Sequence, residues 1–371
     1  MKFVVEKDIF FNGLKIVERA TVAKGLQPVL ANILIESISN DTLKLTATNF
    51  DLTVSTTINC QIEKEGKITL PAKKLLEIAS KLPDKPVEFS LNEDNNVVSI
   101  TCGNSKFEII GISAQEFPKI EDSIEDGTEI EIEIEPLLKS IKNTVYAVAN
   151  YENRNVISGV FCLIKDNKLE MAATDGNRLT RIIEKIENKE GKTAKLVIPS
   201  KTLNEFARIC AFVPDEKVCL IVDKSKLTLK TINFALNTRL LEGEYPPYEQ
   251  LIPKTTEKNS IISRDELISA LDRVSTMVYE RTSIVKFMFS ENKLLLKAET
   301  PNSGTSEDII DCEYTGDDLT IAFNYKYVLD SIRTMDAKNV KIGLNGSLSA
   351  TVFKPDSEMD YICLIMPIQI K

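Results

Sequence analysis

LEMAATDGNRL, residues 169–179, is an alternating strand that runs into a small-polar turn. Its Asp175-Gly176-Asn177-Arg178 segment admits three readings: acid chemistry, a plain turn between strands, or a surface on which a partner docks. The surroundings choose among them. The first half of the stretch recurs as LKLTATN (43–49) and LLLKAET (294–300), about 125 residues to either side. A second pattern recurs with it, as ITLPAKKLLEIA (68–79), LVIPSKTLNEFA (196–207) and TIAFNYKYVLDSI (320–332). Each is a strand, a two-residue break and an amphipathic helix. A third pattern is a helix with apolar residues at three- and four-residue spacing, entered from an extended segment. Its copies are VEKDIFFNGLKIVERA (5–20), IEPLLKSIKNTVYAVA (134–149) and ISRDELISALDRVSTM (262–277).

This period is too long for a solenoid, so the chain reads as three similar tandem domains, 1–125, 126–254 and 255–371. The boundaries fall in polar, Pro- or acid-rich stretches around 121–128 and 252–259. Further strand candidates are VEFSL, NVVSITC, KFEIIGI, VCLIVD, KLTLKT and NVKIGL, bounded by Asn, Asp, Gly and Lys turns. In EIEIEIE (129–135) the alternation buries one face and charges the other. The expected fold class is α+β, each domain having two helices packed on antiparallel sheets.

Composition narrows the function. The chain has 371 residues, 43 % of them hydrophobic, enough for several buried cores. Met1-Lys2-Phe3-Val4-Val5-Glu6 is too short an apolar run for a signal peptide. No apolar stretch approaches the ~20 residues of a membrane helix, so a soluble, cytoplasmic protein is expected. There is no histidine, which removes Ser-His-Asp and Cys-His catalysis and histidine-ligated metals. No phosphate-binding glycine loop or zinc-protease motif is present either. The seven cysteines (Cys60, Cys102, Cys162, Cys210, Cys219, Cys312, Cys363) form no C-x-x-C pair, and most sit among apolar neighbours, as reduced core residues do.

The net charge of −9 argues against nonspecific nucleic-acid binding unless charge is segregated. The helices expected over 7–20, 72–81, 136–149, 200–211, 264–277 and 325–333 hold 14 basic and 8 acidic residues, against 46 and 55 in the whole chain. Lys73, Lys74, Lys81, Lys139, Lys142, Lys201, Arg208 and Lys326 are among those bases. Solvated helix faces account for them equally well in isolation. If equivalent helices point the same way in three domains, however, they form one positive surface able to bind phosphate backbones without base readout. No aromatic platform accompanies them, which disfavours single-strand stacking.

Several motifs, in order along essentially the whole chain, resemble the bacterial β sliding clamps, the processivity subunits of DNA polymerase III. They are ISAQEFPKI (112–120), ATDGNRL (173–179), EGEYPPYEQLIP (242–253), FNYKYVLD (323–330) and the terminal MPIQI, with MKFVVEK at the start. The resemblance implies a head-to-tail homodimer closed into a ring around double-stranded DNA, with helices lining the hole. It implies a non-catalytic tether for the replicative polymerase, opened by an ATP-driven clamp loader and shared with other proteins carrying a clamp-binding motif. No cofactor, nucleotide or membrane is implied for the clamp itself.

By resemblance, partner peptides insert into an apolar pocket between the second and third domains. Its residues here are Thr174, Gly176, Asn177, Arg178, Leu179, Pro246, Leu251, Leu348, Met366, Pro367 and Ile368, with Arg154, Ile157, Asn324 and Tyr327 forming the groove that leads in. The dimer contact implied is Lys106, Phe107 and Ile109 against Thr276, Met277, Glu299, Glu307 and Asp308. Alternation alone also allows Phe107 to face its own core. For DNA the resemblance adds Lys24 and Tyr151 to the helix bases. Asn177 stands where the family often has histidine, and Gln369 where it often has arginine in a terminal M-P-x-R-L, which bears on peptide preference at the rim. Two rivals remain: an acid–base enzyme using Asp175 or Glu242, and a peptide-binding adaptor that does not touch DNA.

Overall fold

The Glu-Ile alternation at 129–135 forms the strand Thr128–Glu133, with Ile130 and Ile132 each 2 % exposed and the glutamates outward. The computed structural model describes residues 1–22, 27–120, 124, 127–149, 155–279, 282–301 and 303–369. Lys24, Tyr151 and Arg154 lie outside the described residues.

The six α-helices are α1 (Lys7–Val17), α2 (Ala72–Lys81), α3 (Ile134–Thr144), α4 (Ser200–Cys210), α5 (Arg264–Val274) and α6 (Tyr325–Thr334). Helices α1, α3 and α5 bury residues at one shared spacing. The sets are Phe10, Gly13, Leu14 and Val17; Leu137, Ser140, Ile141 and Thr144; and Leu267, Ala270, Leu271 and Val274. The second position is small each time. At Gly13 a Cβ would stand 2.8 Å from Ile58 Cγ2 and 2.9 Å from Leu45 Cδ1, so a larger residue there would have to displace both side chains. Truncating Leu14, which is fully buried, to alanine would cost ~2–5 kcal/mol. Helices α1 and α5 end three residues earlier than expected and α3 five, and each continues as a 3₁₀ turn: Glu18–Ala20, Ser275–Met277 and Val145–Ala147. No described helix is long and apolar enough to cross a membrane.

Contacts divide the chain into two compact units, Met1–Ile134 with Asn204–Leu240, and Glu135–Leu203 with Leu241–Lys371. The first holds an eight-stranded antiparallel sheet in the order Thr128–Glu133, Lys217–Val222, Lys226–Lys230, Phe234–Arg239, Leu52–Asn59, Thr42–Thr48, Asn32–Ser37, Lys67–Pro71. It also holds a five-stranded sheet that ends on the edge strand Ser105–Ile110. The second has a nine-stranded sheet whose middle runs Lys168–Thr174, Arg178–Lys185, Asp360–Ile365, Thr351–Pro355. Its four-stranded sheet ends on the edge strand Gly304–Asp311.

The two large sheets are assembled alike. In one, the strand after the 48–52 turn pairs with Phe234–Arg239, in register Thr56↔Phe234 and Leu52↔Thr238. In the other, the strand after the 174–178 turn pairs with Asp360–Ile365, in register Arg178↔Ile365 and Ile183↔Asp360. By position in their four-strand groups, Gly304–Asp311 corresponds to Leu52–Asn59 and Arg178–Lys185. Likewise Ser105–Ile110 corresponds to Phe234–Arg239 and Asp360–Ile365. Gly304–Asp311 and Ser105–Ile110 have no partner on their outer edges among the described residues.

Candidate functional site

The turn that opened the sequence reading is held by its own side chains. Asp175 Oδ1 accepts from the backbone N–H groups of Asn177 (2.9 Å) and Arg178 (3.0 Å). The Thr174 hydroxyl donates to the Arg178 carbonyl (2.7 Å) and accepts from Gly176 N (3.1 Å). Gly176 takes φ +88°, the left-handed region that glycine occupies without a Cβ penalty. With Asp175 Oδ2 accepting from Arg178 Nε at 3.0 Å, this carboxylate organises the turn and is not presented to a substrate.

Arg178, expected as pocket wall, is also a brace for the elements around the turn. It is only 9 % exposed. Its Nη1 donates to Asp330 Oδ2 on α6 (2.7 Å) and its Nη2 to the Tyr146 carbonyl (2.5 Å). The guanidinium lies over the Tyr327 ring, 4.4 Å from its centroid. Tyr146 in turn shares a hydroxyl–hydroxyl hydrogen bond with Tyr361, and burial pushes both phenols well above their ordinary pKa. The second unit thus ties α6, the Val145–Ala147 turn and the Asp360–Ile365 strand to one arginine.

In front of this brace lies a core of Phe161, Ala172, Leu179, Tyr248, Val352, Ile362 and Leu364, with Tyr245 and Ile252 packed against it. Leu179 is 3 % exposed in that floor, and Thr174, in the turn, is 9 % exposed. Tyr245 and Tyr248 pack on Phe161 with ring centroids 5.5 Å away, and Tyr248 donates to Glu170 Oε1 at 2.7 Å. These aromatics were in plain view in EYPPYEQL, yet the sequence reading named only Pro246 and Leu251 there. Three large apolar side chains expected in the pocket remain in solvent: Leu251 (61 % exposed), Leu348 (62 %) and Met366 (47 %). Met366 N donates to the Asn177 carbonyl (2.9 Å) and Ile368 N to the Ala322 carbonyl (2.8 Å), which fixes the Met366-Pro367-Ile368 tail beside the turn. The Asn177 side chain is exposed.

The other groove residues sit at helix starts. Asn324 caps α6 by accepting from Lys326 N (3.1 Å), and Tyr327 is half-buried over Arg178. Ile157 is half-buried in the short turn Val156–Ser158 and its carbonyl accepts from Ala149 N (3.0 Å). An exposed apolar rim over an aromatic floor, with backbone edges nearby, suits a short peptide bearing apolar anchors.

The helix bases are less uniform than their sequence count. Lys74 and Lys81 both reach Glu77 (3.0 and 3.1 Å), Lys139 reaches Glu184 (2.9 Å) and Arg208 reaches Glu205 (2.8 Å). Lys73, Lys142, Lys201 and Lys326 are exposed and have no ion-pair partner among the described residues.

At the edge strands the structure corrects one face. Phe107 and Ile109 pair across from the buried Ile100 and Val98, so Ile109 (7 % exposed) turns into its own core and Phe107 is half-buried. The outward residues are Lys106, Glu108 and Ile110, the last 74 % exposed and not anticipated. Opposite in kind, Gly304–Asp311 turns Ile310 inward and leaves Ile309 59 % exposed. Its acids are internally paired: Glu307 with Lys297, Asp308 with Arg273, and the neighbouring Glu299 with Lys286. Thr276 is exposed, and the Met277 carbonyl accepts from Thr300 Oγ1 (2.6 Å).

The cysteines behave as the core residues that the sequence suggests. Burial pushes the thiols of Cys162, Cys210 and Cys363 up to about 12, far from the thiolate range.

Comparison with known proteins places this geometry. Residues 1–121, 131–247 and 249–369 match, in order, the N-terminal, central and C-terminal domains of the DNA polymerase III beta subunit. The "Beta sliding clamp" of Synechococcus elongatus is 29 % identical over 378 residues, covering 100 % of both chains. The crystal structures of the DNA polymerase III beta subunit from Thermotoga maritima (27 % identity) and the DNA polymerase sliding clamp from Bacillus subtilis (26 %) superpose with TM-scores of 0.93 each, with both chains fully covered. The chain belongs to the DNA polymerase III beta subunit family, the sliding clamps, which are non-catalytic processivity factors built on a three-domain clamp fold.

Proposed function

We propose that this chain, as three domains spanning 1–125, 126–254 and 255–371, closes head to tail with a second copy into a ring around double-stranded DNA. There it tethers the replicative polymerase and other motif-bearing proteins. The observation that carries the ring is the pattern of paired and unpaired strands. Two junctions in the chain join a strand of the Leu52–Asn59 type to one of the Phe234–Arg239 type. The two strands left over, Gly304–Asp311 and Ser105–Ile110, are one of each type. Pairing them between copies builds a third junction by the same rule and removes both exposed edges. Ile110 and Ile309 would then lose their exposure, with Lys106, Phe107, Thr276, Met277, Glu299, Glu307 and Asp308 around them.

DNA would meet the helix bases, above all Lys73, Lys142, Lys201 and Lys326, with Lys74, Lys81, Lys139 and Arg208 released from their acids as phosphates approach. Lys24 and Tyr151 complete that expected surface. Partner peptides would seat an apolar anchor on Leu179 and Tyr248 inside the rim of Leu251, Leu348 and Met366, with Asn177 at the mouth. A loader that opens the ring, and a cytoplasmic location, complete the reading. The test is solution mass. The native chain should run at twice the chain mass at micromolar concentration, and Ile110→Lys with Ile309→Lys should yield folded monomers. A native monomer, or a double variant that stays dimeric, contradicts the ring.

A further inference from the structure

The first unit contains a cleft of about 230 Å³ in the same place relative to its junction as the rim just described. It lies where the turn after Thr48, the segment Pro118–Ile120 and the strands Lys226–Lys230 and Phe234–Arg239 meet. The turn repeats the 174–178 circuit bond for bond. Asn49 Oδ1 accepts from Asp51 N (3.1 Å) and Leu52 N (2.9 Å), and Thr48 Oγ1 donates to the Leu52 carbonyl (3.2 Å) and accepts from Phe50 N (3.2 Å). The exit segments also match: Glu116-Phe117-Pro118 leaves the first repeat as Glu244-Tyr245-Pro246 leaves the second. Phe117 is 6 % exposed in a core with Val29 and Leu34, as Tyr245 packs on its own floor.

At the position of Gly176 this turn carries Phe50, at φ +71° and 54 % exposed. A bulky aromatic in the left-handed region costs on the order of 1–3 kcal/mol and gains nothing here from burial. Such strain at a cleft mouth fits a contact made by an occupant. The cleft's charges choose that occupant. Among the described residues Lys119, Lys226 and Arg239 line it against one carboxylate, Asp51, and Lys119 and Arg239 have no ion-pair partner there.

We propose that this cleft is a second docking site, for a short acidic peptide that places one apolar side chain between Phe50 and Ile120, over the strand at Leu227. Lys119 and Arg239 receive its carboxylates, and Ile120 closes the apolar side. The repeat argument rests on the peptide role proposed for the 174–179 rim, but the experiment reads the two sites separately.

The probe is acetyl-DELDF-amide, titrated into the full chain carrying ¹³C-methyl isoleucine and leucine. Saturable shifts are expected at Ile120 and Leu227. They should weaken about tenfold in Phe50→Gly, a change that relieves backbone strain, and again in Lys119→Glu with Arg239→Glu. Met366→Asp should leave them unchanged while abolishing any shift at Leu179. Neutralising Glu121 and Asp122, which follow Ile120 in the sequence, as E121Q and D122N should leave affinity the same or raise it. The proposal is overturned by the absence of saturable shifts up to about 5 mM peptide, or by a fall in affinity on E121Q and D122N. Equal shifts from acetyl-DEGDG-amide, which has no anchor, or displacement by a duplex oligonucleotide, would overturn it as well.

Discussion

Two turns in this molecule, Thr48–Leu52 and Thr174–Arg178, use the same hydrogen bonds and finish differently. In the first, the residue after the turn is Leu52, 2 % exposed, which simply enters the core. In the second it is Arg178, whose guanidinium reaches Asp175, Asp330 and the Tyr146 carbonyl. The third position differs too: a strained, exposed Phe50 against an open Gly176. The shared circuit is therefore fold chemistry, common to both junctions. What a junction does is decided by the residues hung on it. A brace and an apolar rim mark one, and a strained aromatic beside Lys119 and Arg239 marks the other.

The brace is where the comparison breaks most visibly. Arg178→Met should leave Asp175, Asp330 and a carbonyl without their shared donor and cost about 3–5 kcal/mol in urea unfolding. A loss below about 1 kcal/mol would make the arginine ornamental. Next come the rim residues. Leu348→Asp and Met366→Asp should each weaken binding of a polymerase-derived peptide by about 2 kcal/mol, read by calorimetry. Both are exposed, so stability should move by less than about 0.5 kcal/mol. Leu179→Asp is a poorer test because Leu179 is core. Gly176→Ala should cost about 1 kcal/mol, since a Cβ there has nothing within 4 Å and the penalty is conformational alone. Phe50→Gly should do the reverse and stabilise by up to about 1 kcal/mol, in spite of glycine's entropy. If both glycine–side-chain changes move stability in the same direction, the two turns are not equivalent. Least of all should pH matter to the thiols. With Cys162 and Cys363 fully buried and near 12, their alkylation at pH 8 should wait for unfolding, and rapid labelling of either in the native chain would contradict that burial.

Much of this was legible in the sequence because it is local. The repeats, the Thr-Asx turn and the Glu-Ile alternation each place their structural cause within a few residues. The ends of α1, α3 and α5 were not legible, because one turn of 3.0 and one of 3.6 residues place apolar side chains almost alike. Alternation at 105–110 could not tell Ile109 from Ile110, since it fixes two faces without saying which is covered. The brace was hidden for a different reason. Arg178 and Asp330 are 152 residues apart and Tyr146 and Tyr361 are 215 apart, and nothing near either residue announces its partner. Leu348 and Met366 were reached through family resemblance, and their exposure is a fact of the fold alone.

The central claim is a closed ring on DNA, and topology tests it most directly. Loaded onto a nicked circular duplex, the protein should stay bound through high-salt gel filtration and be lost once a single cut linearises the circle. Retention that is equal on circular and linear DNA, or absent from both, would contradict the account.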